Sequence, residues 1–102
     1  MSVDMLDKVA LVTGGSSGIG KAAALAFAQR GAKVVIANRT ASTGHKVVEQ
    51  IKASGGEAVW IQTDVSKVGQ VDALIQDVIK TYGQLDYAFN NAGSGGKGGW
   101  LA

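Results

Sequence analysis

The chain contains no cysteine and no proline. Without cysteine, disulfides, thiolate nucleophiles and sulfur-ligated metals are excluded. Proline at its average usage of about 5% would supply roughly five residues, but its absence carries no functional reading. Long apolar runs are missing too. The longest, Ala22 to Ala28, is far too short to span a bilayer, so no membrane partner is expected. Charge is sparse and two-signed: 18% of residues are charged and the formal net charge is +2. No block of five or six like charges appears, which leaves no electrostatic footprint for nucleic acid. The opening Met1 to Lys8 is polar and carries Asp4 and Asp7, unlike a secretory signal, so a cytoplasmic location is expected.

What remains is a chain of 102 residues with 46% hydrophobic content, enough for one core and one globular domain. Glycine is plentiful at 15 residues, and it is placed as punctuation. Val9 to Thr13 is a continuous apolar run, as in a strand buried on both faces. A helix over about Gly18 to Arg30 follows, with Gly31 placed to end it; its alanines Ala22, Ala23, Ala24 and Ala26 allow close approach to a sheet. Lys33 to Ala37 reads as a second strand, Ser42 to Ser54 as a second helix stopped by Gly55-Gly56, and Ala58 to Gln62 as a third strand. Apolar residues at helical spacing, from Val68 to Tyr82, predict a third helix over about Lys67 to Tyr82. Gly83 ends it, and Asp86 to Asn90 supplies a fourth strand. Helices between successive strands imply parallel pairing with right-handed crossovers. The expected architecture is α/β, an open, doubly wound parallel sheet with strand order 3-2-1-4 and three crossover helices. Residues 1–93 form that domain, and 94–102 read as a flexible glycine-rich tail.

The most informative segment is Thr13-Gly14-Gly15-Ser16-Ser17-Gly18-Ile19-Gly20, set between the first strand and the first helix. Glycines let the main chain turn sharply and approach a diphosphate without an intervening Cβ. The helix start offers unpaired N–H groups and the positive end of its dipole. Two motifs overlap here. From Gly14 the spacing is Gly-x-x-x-Gly-x-Gly, a dinucleotide-type turn. From Gly15 to Lys21 it matches the first seven positions of the NTPase phosphate loop, which next requires Ser or Thr for magnesium. Position 22 is Ala, which argues against the NTPase, and Lys21 is read as a solvated helix residue.

About 20 residues on, at the end of the second strand, the adenosine ribose should arrive. A carboxylate there selects NAD. This chain has Asn38-Arg39: Asn38 has no charge to repel a 2′-phosphate, and Arg39 offers a planar cation shaped to hold one. NADP is therefore favoured over NAD, although Asn38 can also bond a ribose hydroxyl and Arg39 can equally be a surface charge opening a loop. Asp64-Val65, past the third strand, can receive an adenine amino group and cover its ring; alternatively Asp64 caps the third helix, a task for which Ser66 competes.

Together with Asn90-Asn91-Ala92-Gly93 at the close of the fourth strand, these residues resemble the short-chain dehydrogenase/reductase family over residues 1–93. The resemblance implies a Rossmann fold, NAD(P)(H) as cofactor and hydride transfer between an alcohol and a carbonyl. It implies that Gly14, Ser16, Ser17, Gly18, Ile19 and Gly20 hold the diphosphate, Asn38 and Arg39 select the ribose, and Asp64 and Val65 line the adenine pocket. Asn90, Ala92 and Gly93 would form the floor beneath the riboses. Asn90 and Asn91 can equally tie neighbouring strands together through backbone bonds.

Family members also carry a catalytic Ser and a Tyr-x-x-x-Lys pair in which the tyrosine is the general acid or base. Here Tyr82 is followed at the lysine position by Asp86, and Tyr87 by Asn91, so neither fits. His45 is read as a solvated residue of the second helix. The expectation is a cofactor-binding portion, truncated relative to the family and inactive alone. A non-enzymatic Rossmann fragment that binds adenine nucleotides weakly or not at all is the competing reading. With two helices on one face and one on the other, Val12, Ala88 and Phe89 are expected to keep exposed apolar surface, and residues 86–90 to offer an edge for self-association.

Overall fold

The computed structural model describes residues 4–14, 18–64, 67 and 69–90. Seven elements alternate along it: β1 (Val9–Thr13), α1 (Gly18–Gln29), β2 (Lys33–Asn38), α2 (Ala41–Ala53), β3 (Glu57–Gln62), α3 (Gln70–Tyr82) and β4 (Tyr87–Asn90). The four strands are parallel and lie in the order β3-β2-β1-β4. This is the doubly wound sheet that the alternation of apolar runs and glycine stops implies.

The strands separate two cores because side chains alternate across a pleat. On one face Val12, Val34, Ile36 and Ala58 pack under α1 and α2, against Ala24, Ala28, Val47, Val48 and Ile51. On the other, Val9, Leu11, Val35 and Ala37 meet Leu74 and Val78 of α3. All five residues of β1 are buried, as its unbroken apolar run requires. Close approach of α1 uses only the stripe Gly20, Ala24 and Ala28, whereas Ala22 and Ala26 face solvent. The exposure expected at Val12 is not found: the residue is fully buried, since the packing of α1 and α2 reaches over the central strand. Phe89 is half-buried against the same cluster.

Element ends follow backbone chemistry. Gly31, Gly55 and Gly83 adopt positive φ at or just beyond the ends of the three helices, where only glycine avoids a Cβ penalty. The third helix starts later than its periodicity predicts, at Gln70 and not Lys67. The cause is Gly69, which stands at the N-cap with φ of 93° and so cannot continue a right-handed turn backwards. Before it, the Lys67 N–H donates to the Asp64 carbonyl and that of Gln70 to the Lys67 carbonyl, closing short turns.

Asp86 precedes β4 and anchors it. Its backbone N–H donates to the Val9 carbonyl at 2.9 Å. Its Oδ2 accepts the Val9 N–H at 2.8 Å and Gln84 Nε2 at 2.6 Å. The bond from the Val9 amide, more than that from Gln84, holds the Asp86 carboxyl below its ordinary range. A group whose pKa is lowered by folding adds stability above its unfolded value and loses it as pH falls through its folded value. Asp86→Asn should therefore be less stable than the parent at pH 7. In urea titrations the gap should close once the pH has dropped through and below the ordinary carboxylate range; a gap unchanged at pH 3 would contradict the assignment.

Candidate functional site

Parallel strands present all their carboxyl ends on one edge of the sheet, and the register aligns them here. Thr13 is level with Ala37 on one side and Asn90 on the other, and Asn38 is level with Gln62. Gly14, Asn38-Arg39, Asp64 and Asn90 consequently meet at one edge, with the first residue of α1, Gly18, just beyond. Ser16, Ser17, Val65, Ala92 and Gly93 lie outside the described residues.

The turn leaves β1 at Gly14, whose φ is 68° and whose N–H donates to the Ala37 carbonyl at 2.9 Å. A side chain at that φ would be strained. Gly18 answers a different need. A Cβ built on it would meet no other part of the described residues within 4 Å, so packing among them does not require glycine there. The space in front of it is open, as a backbone meant to approach a ligand needs. Ile19 is 71% exposed at the same helix start, whereas Gly20 is buried against the sheet.

Asn38 and Arg39 follow β2. Asn38 Oδ1 accepts from Trp60 Nε1 at 2.7 Å, and its carbonyl accepts the Thr63 N–H at 2.9 Å. Arg39 is exposed and borders, with Gln62, Thr63, Asp64 and Lys67, a cavity of about 560 Å³. Arg39 and Asp64 are thus brought to one hollow from different loops. Asp64 does not occupy the cap position of α3, which belongs to Gly69; instead its N–H donates to Gln70 Oε1 at 2.7 Å. Asn90 meets the neighbouring strand through its side chain, at a hydroxyl where backbone bonds were expected. Its Oδ1 accepts from Thr13 Oγ1 at 3.0 Å, and Thr13 is fully buried. A hydroxyl at the end of an otherwise apolar strand was the available sign of that bond.

Tyr82 has the opposite of an activated phenol. Burial first, then the charge of Glu57 and a hydrogen bond with it, push its pKa up to about 12. A tyrosine that gives and takes protons near neutrality needs its pKa lowered. His45 is exposed and rests its ring 4.9 Å from that of Trp60.

A doubly wound parallel sheet whose first crossover starts in a glycine turn defines a nucleotide-binding fold, with ligands received at the strands' carboxyl ends. Residues 8–100 match the family model for short chain dehydrogenases. The chain belongs to the short-chain dehydrogenase/reductase family, whose members are oxidoreductases using NAD(P). It is 46% identical over 91 residues to a short-chain dehydrogenase/reductase homolog of Bacillus subtilis, covering 88% of this chain and 84% of that one. Against an uncharacterized oxidoreductase of Listeria monocytogenes it is 47% identical over 87 residues, which are 85% of this chain but 35% of the relative. The crystal structure of a metagenomic short-chain oxidoreductase in complex with NADP superposes with a TM-score of 0.81 at 34% identity, over 83% of this chain and 38% of that one. This chain therefore matches nearly the whole of one relative and little more than a third of the others. Among the described residues, no helix is long and apolar enough to cross a membrane.

Proposed function

We propose that this chain forms the dinucleotide-binding half of an NAD(P)(H)-dependent oxidoreductase acting on an alcohol/carbonyl pair, with NADP(H) preferred. One observation carries the reading: Gly14, Asn38-Arg39, Asp64 and Asn90 converge on a single sheet edge beside a helix start whose glycine faces open space. In this reading Gly14, Ser16, Ser17, Gly18, Ile19 and Gly20 hold the diphosphate. Arg39 and Asn38 receive the 2′-phosphate, Asp64 and Val65 the adenine, and Asn90, Ala92 and Gly93 underlie the riboses. The cofactor, when bound, supplies the hydride. The NADP complex of the metagenomic relative supports a dinucleotide here.

The 102 residues contain no Tyr-x-x-x-Lys pair, and burial raises the pKa of Tyr82 where an activated phenol needs it lowered. These facts favour a second reading for the chain taken by itself, a nucleotide-binding module without turnover. One experiment separates the possibilities. NADP, NAD and ADP-ribose are titrated against Trp60 fluorescence and backbone amide shifts, and hydride transfer is assayed on the same sample. NADP binding tighter than NAD, with shifts clustered at residues 14–20 and no turnover, is the expected result. Turnover at about 1 s⁻¹ or faster, as in ordinary enzymes, would reject the module reading. Absence of binding by all three ligands would reject the dinucleotide site.

A further inference from the structure

Asn38 is held by more than its own strand. Trp60 sits on β3 two residues before Gln62, the register partner of Asn38. It is thus the diagonal neighbour of Asn38 on the α1/α2 face of the sheet. Its Nε1 stands 2.7 Å from Asn38 Oδ1. An indole N–H only donates, so the amide atom that meets it must be the oxygen, and a flipped amide would set donor against donor. The bond therefore orients the whole group and turns Nδ2 towards α2, 3.5 Å from Thr43 Oγ1. Thr43 in turn borders, with Lys21, Lys46 and Glu49, a cavity of about 600 Å³ between α1 and α2. The donor side of the amide thus lies towards a cavity edged by two cations and one carboxylate.

The indole is clamped from above as well. A Cβ on Gly44 would lie 2.2 Å from Trp60 Cδ1 and 3.1 Å from Asn38 Oδ1. Real side chains do not tolerate such separations, so glycine at 44 is what admits the indole. The His45 ring packs on it at 4.9 Å.

We propose that Trp60, admitted by Gly44, is a specificity-determining positioning residue that commits the oxygen of Asn38, so that Asn38 presents a donor to the ligand and the site prefers an adenosine bearing a 2′-phosphate to one bearing a free 2′-hydroxyl. The proposal rests on the reading of this edge as the dinucleotide site. Its physical basis is that a phosphate accepts hydrogen bonds and gives none. Selection of a free ribose instead uses an acceptor for its hydroxyls.

The test compares 2′,5′-ADP with 5′-ADP, both titrated by calorimetry into the 102-residue chain and into Trp60→Phe and Gly44→Ala. Phe keeps the aromatic bulk and removes the N–H; Ala keeps the indole and displaces it. Each variant should lower the preference for 2′,5′-ADP about tenfold, the worth of one hydrogen bond to a charged group. The affinity for 5′-ADP should hold within about twofold. In the unliganded chain the Asn38 side-chain amide resonance should shift in both variants, as the bond accepted by its oxygen is lost. A parent chain that binds 5′-ADP but shows no preference, or folded variants that keep it, would overturn the proposal alone. A parent chain that binds neither nucleotide would overturn the dinucleotide reading and this proposal with it.

Discussion

Gly18→Ala should abolish tight nucleotide binding and leave the protein at least as stable as before. The two halves of that expectation come from the same geometry. Gly18 opens α1, its φ is not in the left-handed region, and a Cβ there would meet no side chain among the described residues. Alanine at a compatible helical position lowers the entropy of the unfolded chain and is worth about 0.4–1 kcal/mol. The ligand meets the same Cβ differently. A diphosphate reaches the N–H groups of a helix start only if nothing stands between, and hydrogen bonds to a charged group are worth about 1.5–3 kcal/mol each. Losing two of them weakens binding at least about 100-fold. Urea unfolding and NADP titration on one sample measure both. Opposite movements of stability and affinity could not come from a damaged fold. Affinity preserved within about twofold would show that the diphosphate does not approach Gly18.

Such a prediction is within reach because much of this molecule is local. The period of apolar residues set each element and its buried face, so β1 runs over Val9–Thr13 as its composition requires. The stops at Gly31, Gly55 and Gly83 follow from a backbone conformation that disfavours other residues. The start of α3 was less legible, because Val68 and Val71 keep the helical rhythm across Gly69. Whether that glycine caps or continues a helix depends on φ, which composition does not encode. The bonds between strands were hidden further. Trp60 and Asn38 are 22 residues apart, and their meeting depends on the register that levels Asn38 with Gln62. That register is fixed by packing of both faces, a property of the assembled sheet. For the same reason Thr13 and Asn90 could each be singled out, but not paired.

Arg39→Ala should cost NADP about 10- to 100-fold in affinity, the worth of a charge-assisted hydrogen bond to phosphate, while NAD changes within about twofold. The residue is exposed, so stability should stay within about 0.5 kcal/mol of the parent. The size of the effect depends on what else shares the hollow. Asp64 and Asp77 line it together with Lys67, so removing Arg39 leaves one cation against two carboxylates. A 2′-phosphate would then meet net repulsion, which puts the expected loss towards the upper end of the range. Salt gives an independent check. In the parent, NADP affinity should fall between 0.05 and 0.5 M salt, about the range over which exposed charges become screened, and in Arg39→Ala that slope should shrink. Arg39→Lys should recover only part of the affinity, since an ammonium supplies the charge without the planar pair of donors. Equal losses for NADP and NAD would place Arg39 at the diphosphate or the adenine and remove the basis for the cofactor preference. Unchanged binding of both would make it an ordinary surface charge.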